Sequence, residues 1–176
     1  MKTLVILTHP DIENSITNKR WIEELEKYPD QFVIHQLYKI YPDEKINVLA
    51  EQRLLEKYSK IIFQFPLYWF SSPPLLKKWF DEVLSHGWAF GSKSDYKLEN
   101  KKIGLAIIAG ATKENYSIKG NYGHSLREVL FPFELTFKYV KANYRPYFVN
   151  YGSDSDAPRE LIEESALKYL CFINAL

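Results

Sequence analysis

The hydrophobic positions of this chain fall into short continuous runs that alternate with longer stretches of helical spacing. The runs are rich in β-branched and aromatic residues, which is typical of strands buried on both faces of a parallel sheet. The predicted strands are Lys2–Thr8, Phe32–Leu37, Lys60–Phe65, Lys101–Ala109 and Tyr144–Val149.

The stretches between these runs carry signals that start helices. Ser15 and Asn47 are of residue types that cap helices, and we expect helices from them to about Tyr28 and Tyr58. Proline is tolerated in the first turn of a helix and breaks its interior, so it marks the other starts. Those helices are predicted after Pro73 and Pro74, from Pro132 through Val140 behind a helical turn at Leu126–Leu130, and after Pro158.

Strands that alternate with helices predict an α/β fold, because parallel strands need crossover connections that pack on the sheet. We expect three layers, with a five-stranded parallel sheet of order 2-1-3-4-5 between helices on both faces. At 176 residues, the chain is expected to form a single domain, 1–176.

Composition and charge narrow the classes of partner. The formal net charge is only +1 and the charges are interspersed, so no nucleic-acid partner is expected. The first apolar run is too short for a signal peptide and no run reaches membrane-spanning length, which favours a cytoplasmic location. Cys171, the single cysteine, lies in an apolar helical pattern and is expected to be buried. No cluster has metal-ligand spacing, so no metal site is predicted.

Aromatic residues are concentrated in Phe63–Gly91, where a strand, a loop and a helix are expected. The strand stops at Pro66, and neither strand nor helix periodicity can hide the bulky side chains that follow it. In an open α/β sheet, ligands bind at the carboxyl ends of strands, so this loop is a candidate site for a flat aromatic ligand. A cluster in the core or in a dimer interface is the alternative that composition leaves open. The loop residues are Pro66, Leu67, Tyr68, Trp69 and Phe70.

The loop after the first strand is a candidate anion site. Backbone N–H groups at the start of the next helix point to the loop mouth, and the helix dipole favours negative charge there. A histidine in a surface loop is more often simply solvated, which is the alternative for His9. The candidate residues are His9, Ser15, Ile16, Thr17 and Asn18.

Several motifs resemble the flavodoxin-like NAD(P)H dehydrogenase (quinone) family. The resemblance covers nearly the whole chain and is most specific in Gln64–Phe70, in the Pro-Pro-Leu-Leu-Lys start of the next helix, and in Gly87–Gly91. His-Pro after the first strand and Ser-x-x-Asn at the helix start are similar to the phosphate loop of this family. The chain is most similar to the short bacterial branch that includes the glutathione-regulated potassium-efflux ancillary flavoproteins.

This resemblance implies a site for flavin mononucleotide (FMN). Residues 66–70 would line one side of the ring slot, with Trp69 against the isoalloxazine, and Ala109, Gly110 and Ala111 would offer backbone N–H groups on the other. The family usually has Thr-Thr-Gly-Gly where this chain has Ile108–Ala111, so only main-chain contacts can be kept. FAD is less favoured, because the larger reductases carry a C-terminal extension for the adenine half.

A stretch from Asn115 to Gly123 resembles Tyr-Ser-x-x-Gly-x-His-Gly of the larger quinone reductases. Tyr116 matches the tyrosine that flanks the flavin there, and Tyr122 stands at the histidine position, so both are candidate catalytic residues. Tyr122 cannot become cationic, and His124 is a substitute two residues further on. A lid that packs over the site is the alternative role for both tyrosines.

The function that the resemblance implies is an FMN-dependent NAD(P)H oxidoreductase. Hydride would pass by a ping-pong mechanism from NAD(P)H to a quinone or a similar flat electrophile, and the protein would be a homodimer, as family members are. The alternative is a redox-linked ancillary subunit that regulates a potassium-efflux transporter in the membrane.

Overall fold

In the computed structural model, which describes residues 2–153 and 158–176, six strands form one parallel sheet. The order is β2-β1-β3-β4-β5, and β6 also pairs with β4, so the predicted order 2-1-3-4-5 is confirmed. The strands are β1 (Thr3–Leu7), β2 (Phe32–Gln36), β3 (Lys60–Pro66), β4 (Lys102–Ala109), β5 (Asn143–Tyr144) and β6 (Phe148–Tyr151).

Helices cover both faces of this sheet, as the predicted three layers require. They are α1 (Ile16–Glu26), α2 (Leu37–Ile40), α3 (Val48–Glu56), α4 (Pro74–Val83), α5 (Leu126–Val129), α6 (Phe131–Tyr139) and α7 (Arg159–Asn174). Asn47 caps α3 by accepting from the backbone N–H of Ala50 at 3.1 Å, as predicted. Pro132 lies in the first turn of α6, which separates α6 from α5. No helix in the described ranges is both long and apolar enough to cross a membrane.

Alternate residues of each central strand enter two different cores, because successive side chains of a strand point to opposite faces. On one face, Val5, Ile62 and Ile108 pack under α1 and α7. On the other face, Ile6, Phe63 and the next strand's Ile107 pack under α3 to α6. Burial on both sides explains the continuous apolar runs that predict these strands.

The predicted fifth strand, Tyr144–Val149, is interrupted. Ile103 of β4 pairs with Tyr144, and Ala106 pairs with Phe148, so β4 advances three residues while the edge advances four. The extra residue is a bulge beside Pro146, which lacks the N–H that an unbroken ladder needs. The edge position is therefore shared by β5 and β6.

One expectation about burial is wrong. Cys171 is exposed, because the inward positions of α7 are those of Ile162, Ala166 and Tyr169, and Cys171 lies on another side of the helix. On α7, Leu161 and Leu167 are also exposed, although both keep helical spacing.

Candidate functional site

A cavity of about 430 Å³ lies at the carboxyl ends of β1, β3 and β4, where the rule for open α/β sheets places a ligand site. It brings together nine of the predicted residues: His9, Ser15, Ile16, Thr17, Asn18, Pro66, Leu67, Tyr68 and Gly110. Ile108, from the loop considered above, also lines it, together with residues that the sequence analysis missed: Asp11, Asn14 and Ser153. A strand pattern carries no signal for these three polar loop residues.

The start of α1 forms one end of the cavity. Ser15 occupies the N-cap position, but its side chain makes no capping hydrogen bond, so the expected cap is wrong. Instead, Ser15 Oγ accepts from Asn18 Nδ2 at 3.1 Å. The first backbone N–H groups of a helix have no intrahelical acceptor, and here they are left open to an anion. Ile16, at the cavity rim, is 72% exposed, so it does not pack on the sheet.

His9 lies beside this end of the cavity. Its Nδ1 accepts from the backbone N–H of Asp11 at 3.1 Å, so the neutral ring carries its proton on Nε2, where it can donate. Burial lowers the pKa of His9, and the nearby Asp11 only partly opposes this. The Asp11 carboxylate in turn accepts from Asn14 Nδ2 at 2.7 Å. His9 is thus held as a neutral donor.

The loops after β3 and β4 form the other end. The backbone N–H of Leu67 donates to the carbonyl oxygen of Ile108 at 2.8 Å, which ties the two loops together. Within the described part of the chain, the backbone N–H groups of Gly110 and Ala111 donate to no acceptor. The side chain of Ala109 is buried in the core, and neither Ala109 nor Ala111 lines the cavity. At this end, the open backbone donor that lines the cavity is the N–H of Gly110, and its contact with the flavin stays a prediction.

A tight turn carries Trp69 and Phe70 at its two central positions. Both have left-handed backbone, with φ of 49° and 61°, which is costly for bulky residues and is most often found at functional sites. Trp69 is 93% exposed and does not line the cavity. Phe70 lines a separate groove against α4 and α6. Trp69 is therefore outside the core and next to the site, but the isoalloxazine contact expected for it stays a prediction.

Tyr116 and Tyr122 belong to a row of rings beside the cavity, which they do not line. Tyr122 lies edge-on to Phe70, with ring centroids 4.9 Å apart, and 5.0 Å from Tyr116. Tyr116 in turn lies 5.8 Å from Tyr151, whose pKa is raised to about 12 by burial and by neighbouring tyrosines. The row joins the loop after β4 to the turn after β3, so ring packing is one contact that the structure gives both residues.

A doubly wound parallel sheet, with a cavity between the start of α1 and the loops after β3 and β4, defines the flavodoxin-like class. The sequence profile of the family described as flavodoxin-like fold matches residues 1–171, and the chain belongs to this family.

Relatives of the chain include oxidoreductases and ancillary proteins. General stress protein 14 of Bacillus subtilis is 47% identical over 92% of this chain and 91% of its own length. An uncharacterised NAD(P)H oxidoreductase of the same organism is 41% identical over 99% of both chains. A glutathione-regulated potassium-efflux system ancillary protein of Citrobacter koseri is 37% identical over 82% of this chain and 80% of its own.

Solved structures agree with this fold over the whole chain. General stress protein 14 of Treponema denticola, solved in complex with FMN, is 47% identical with a TM-score of 0.94 and 99% coverage of both chains. A thermophilic tryptophan halogenase of Streptomycin violaceusniger is 40% identical with a TM-score of 0.90 and 95% coverage of both. An NADPH-quinone reductase of P. pentosaceus is 28% identical with a TM-score of 0.87 and 98% coverage of both.

Proposed function

We propose that this protein is an FMN-dependent NAD(P)H oxidoreductase that reduces quinones or similar flat electrophiles. The observation that carries the proposal is the cavity with open backbone N–H groups at both ends, at the start of α1 and at Gly110. Relatives named NAD(P)H oxidoreductase and NADPH-quinone reductase, and a similar structure that contains FMN, support it.

FMN fits the donors that the chain presents. Its phosphate matches the amides of the first turn of α1, the hydroxyls of Ser15 and Thr17, and Nε2 of His9. Its pyrimidine oxygens match the N–H of Gly110, which lines the cavity and donates to no acceptor in the described part of the chain. The cavity volume of about 430 Å³ lies in the range of ligand pockets, roughly 300–1,000 Å³.

When bound, FMN supplies hydride transfer, taking a hydride from NAD(P)H and delivering it to the second substrate. The residues of this chain hold and orient the flavin and its substrates. The amide of Gly110 would favour negative charge near the pyrimidine oxygens, because it is already in place and needs no reorganisation. Pro66, Leu67 and Tyr68 wall the slot, and the exposed indole of Trp69 offers a stacking surface to a flat substrate.

We assign Tyr116 and Tyr122 to the wall of the site, where either could contact a substrate that enters beside Phe70. Their ring contacts support this position, and a prediction below separates ring packing from hydroxyl chemistry. We also place the protein in the cytoplasm, where NAD(P)H is available as hydride donor.

The test is a flavin titration followed by steady-state kinetics. The protein reconstituted with FMN should bind it stoichiometrically, be bleached by NADH or NADPH without oxygen, and regain colour on adding a quinone. Failure to bind FMN, or FMN that NAD(P)H leaves oxidised, would overturn the proposal. Tryptophan with bromide and oxygen is a necessary control, because one similar structure is named a halogenase; brominated product without quinone turnover would also count against it.

We further propose a homodimer that pairs through α6. Phe131, Leu135 and Tyr139 recur four residues apart on α6 and are 48%, 48% and 67% exposed. Leu135 and Tyr139 line an apolar groove of about 720 Å³ between α4 and α6, which Phe70 also lines. Large exposed apolar patches mark interfaces. Sedimentation should show a dimer for the wild type and a monomer for the double variant Leu135→Glu, Tyr139→Glu. The control variant Leu49→Glu, on α3, should remain a dimer. A wild type that is monomeric at micromolar concentration would refute this proposal.

A second candidate function is that of an ancillary subunit of a potassium-efflux transporter. The identity of 37% to the Citrobacter koseri ancillary protein favours it. The purified protein should then bind a potassium-efflux transporter from its own organism in detergent and change its ion flux. High quinone turnover without any such binding would leave the oxidoreductase as the only function.

A further inference from the structure

Four polar side chains form a continuous hydrogen-bonded chain from α7 through the sheet to the start of α1. Tyr169 OH donates to Gln64 Oε1 at 2.9 Å. Gln64 Nε2 donates to Asn18 Oδ1 at 3.2 Å and to the Asn18 carbonyl oxygen at 3.3 Å. Asn18 Nδ2 then donates to Ser15 Oγ at 3.1 Å, at the rim of the cavity.

The first three of these side chains are buried, with Tyr169 and Gln64 at 0% exposure and Asn18 at 1%. Gln64 occupies a position in β3 that would otherwise hold an apolar residue like its neighbours Ile62 and Phe63. A buried amide costs free energy unless its groups are hydrogen-bonded, so packing alone gives no reason for a glutamine here.

The direction of donation along this chain is determined at each step. The carbonyl oxygen of Asn18 can only accept, so the Gln64 amide must point its NH₂ group toward Asn18. Gln64 Oε1 then faces Tyr169, whose hydroxyl must donate, and burial keeps that hydroxyl protonated by raising the pKa of Tyr169. Asn18 presents Oδ1 to Gln64 and therefore Nδ2 to Ser15.

The consequence lies at Ser15. Ser15 Oγ accepts from Asn18, and among the described residues the Ser15 hydroxyl donates to no acceptor, so its hydrogen is left for a group in the cavity. Hydrogen bonds that all donate in the same direction along a chain polarise one another. The Ser15 hydroxyl, which is the last donor of this chain, therefore becomes a stronger donor.

The rings around Tyr169 keep its hydroxyl in place. Tyr169 stacks on Trp21 of α1 at a centroid distance of 4.5 Å, and Trp21 Nε1 donates to Ser165 Oγ of α7 at 2.9 Å. These contacts hold α1 against α7, so the hydroxyl of Tyr169 keeps its distance to Gln64.

We propose that Tyr169 and Gln64 are positioning residues that orient Asn18 and Ser15 so that the Ser15 hydroxyl donates to the phosphate of the flavin. This inference rests on the proposed function. It means that two residues outside the cavity help the protein to distinguish a phosphorylated flavin from an unphosphorylated one. Neither residue touches the ligand.

The test compares FMN with riboflavin, which has the same ring but no phosphate. Tyr169→Phe keeps the ring stack and removes only the hydroxyl, so FMN affinity should fall by about threefold to tenfold while riboflavin affinity is unchanged. Gln64→Leu should show the same selective loss and serves if Tyr169→Phe folds poorly.

The matched control is Tyr41→Phe. Tyr41 is buried on the opposite face of the sheet, and its hydroxyl donates to Glu51 Oε1 at 2.6 Å. This variant removes the same atom from a similar environment, so it should lower thermal stability without changing either flavin affinity.

A double-mutant cycle gives a readout that a purely structural role would not move. Ser15→Ala removes the last donor, so adding Tyr169→Phe to it should cause no further loss of FMN affinity. An additive loss, or an unchanged ratio of FMN to riboflavin affinity in Tyr169→Phe and Gln64→Leu, would overturn the inference. A wild type that binds neither flavin would instead overturn the proposed function itself.

Discussion

Tyr68 and Ser71 exchange two backbone hydrogen bonds, from Tyr68 N to Ser71 O at 3.0 Å and from Ser71 N to Tyr68 O at 2.9 Å. These bonds close a turn whose central residues, Trp69 and Phe70, are both left-handed. Turns of this kind favour Asn and Gly at the centre, so two aromatic rings there are held at a cost. The turn thereby presents Trp69 to solvent beside the proposed ring slot.

Trp69→Ala should leave the flavin-free protein as stable as the wild type, within about 0.5 kcal/mol, because the indole is 93% exposed. Trp79→Ala should lose about 3–5 kcal/mol, because Trp79 is 0% exposed and its Nε1 donates to Glu51. Urea unfolding of both flavin-free proteins measures this contrast. In the enzyme loaded with FMN, Trp69→Ala should lower kcat/KM for a quinone about threefold to tenfold, because one stacking contact between the indole and the substrate is lost. A large loss of stability in Trp69→Ala would contradict its exposed placement.

Trp69→Gly should stabilise the flavin-free protein by about 0.5–1 kcal/mol, because glycine adopts the left-handed backbone of this turn without strain. The gain is limited, since glycine also increases the entropy of the unfolded chain. Leu167→Gly in α7 is the control and should destabilise by about 1 kcal/mol, because its backbone is helical and its side chain is exposed. Equal losses in the two variants would mean that the turn holds no strain.

Tyr122→Phe should retain quinone turnover within about twofold, because it keeps the ring contacts with Phe70 and Tyr116. Tyr122→Ala removes those contacts and should lower both flavin affinity and turnover. Steady-state kinetics with a flavin titration distinguishes the roles. If Tyr122→Phe loses as much turnover as Tyr122→Ala, the hydroxyl takes part in the chemistry and ring packing is the wrong assignment.

The buried carboxylate of Glu51 should make the stability of the fold decrease in acid. Its carboxylate is 1% exposed and accepts from His35 Nε2 at 2.8 Å, Tyr41 OH at 2.6 Å and Trp79 Nε1 at 2.8 Å. Burial alone would raise the pKa of Glu51, but the hydrogen bonds from His35 and Tyr41 outweigh it and lower the pKa below 4.5. A depressed folded-state pKa contributes stability that is fully present above the unfolded pKa and is lost as pH falls through the folded pKa.

Glu51→Gln should therefore lose about 2–4 kcal/mol at pH 7, because three donors, two of them buried, lose a charged acceptor. The difference from the wild type should shrink as the pH falls from about 4.5 through the lower folded-state pKa, because the unfolded chain takes up the proton first and the folded protein follows. Urea unfolding between pH 3 and pH 7 gives both curves. A difference that stays constant down to pH 3 would show that the Glu51 charge does not stabilise the fold.

Much of the fold could be predicted from local sequence. Short apolar runs indicated β1 to β4, because strands that are buried on both faces have few polar positions. Asn47 and Pro132 indicated helix starts, because a capping side chain and a first-turn proline act on backbone groups within one turn of themselves. The motif from Gln64 to Phe70, read with the helix after it, placed the candidate site at the end of β3.

Other features depended on contacts between distant residues. Ser15 was expected to cap α1, but the buried amide of Asn18 takes its oxygen. Cys171 fits an apolar helical pattern, yet α7 buries a different side. The bulge between β5 and β6 reflects the register with β4, which no residue within the edge segment reveals.

By itself, the sequence determined where β1 to β4 and most of the helices form, and that the aromatic loop and the first loop lie at one edge of the sheet, because burial tendency and backbone preference are local properties. Only the tertiary structure decided which polar groups satisfy one another. Gln64 and Tyr169 are 105 residues apart along the chain, and their hydrogen bond exists only because the sheet and α7 are packed together. The orientation of a buried amide depends on every donor and acceptor around it, and those partners come from separate segments.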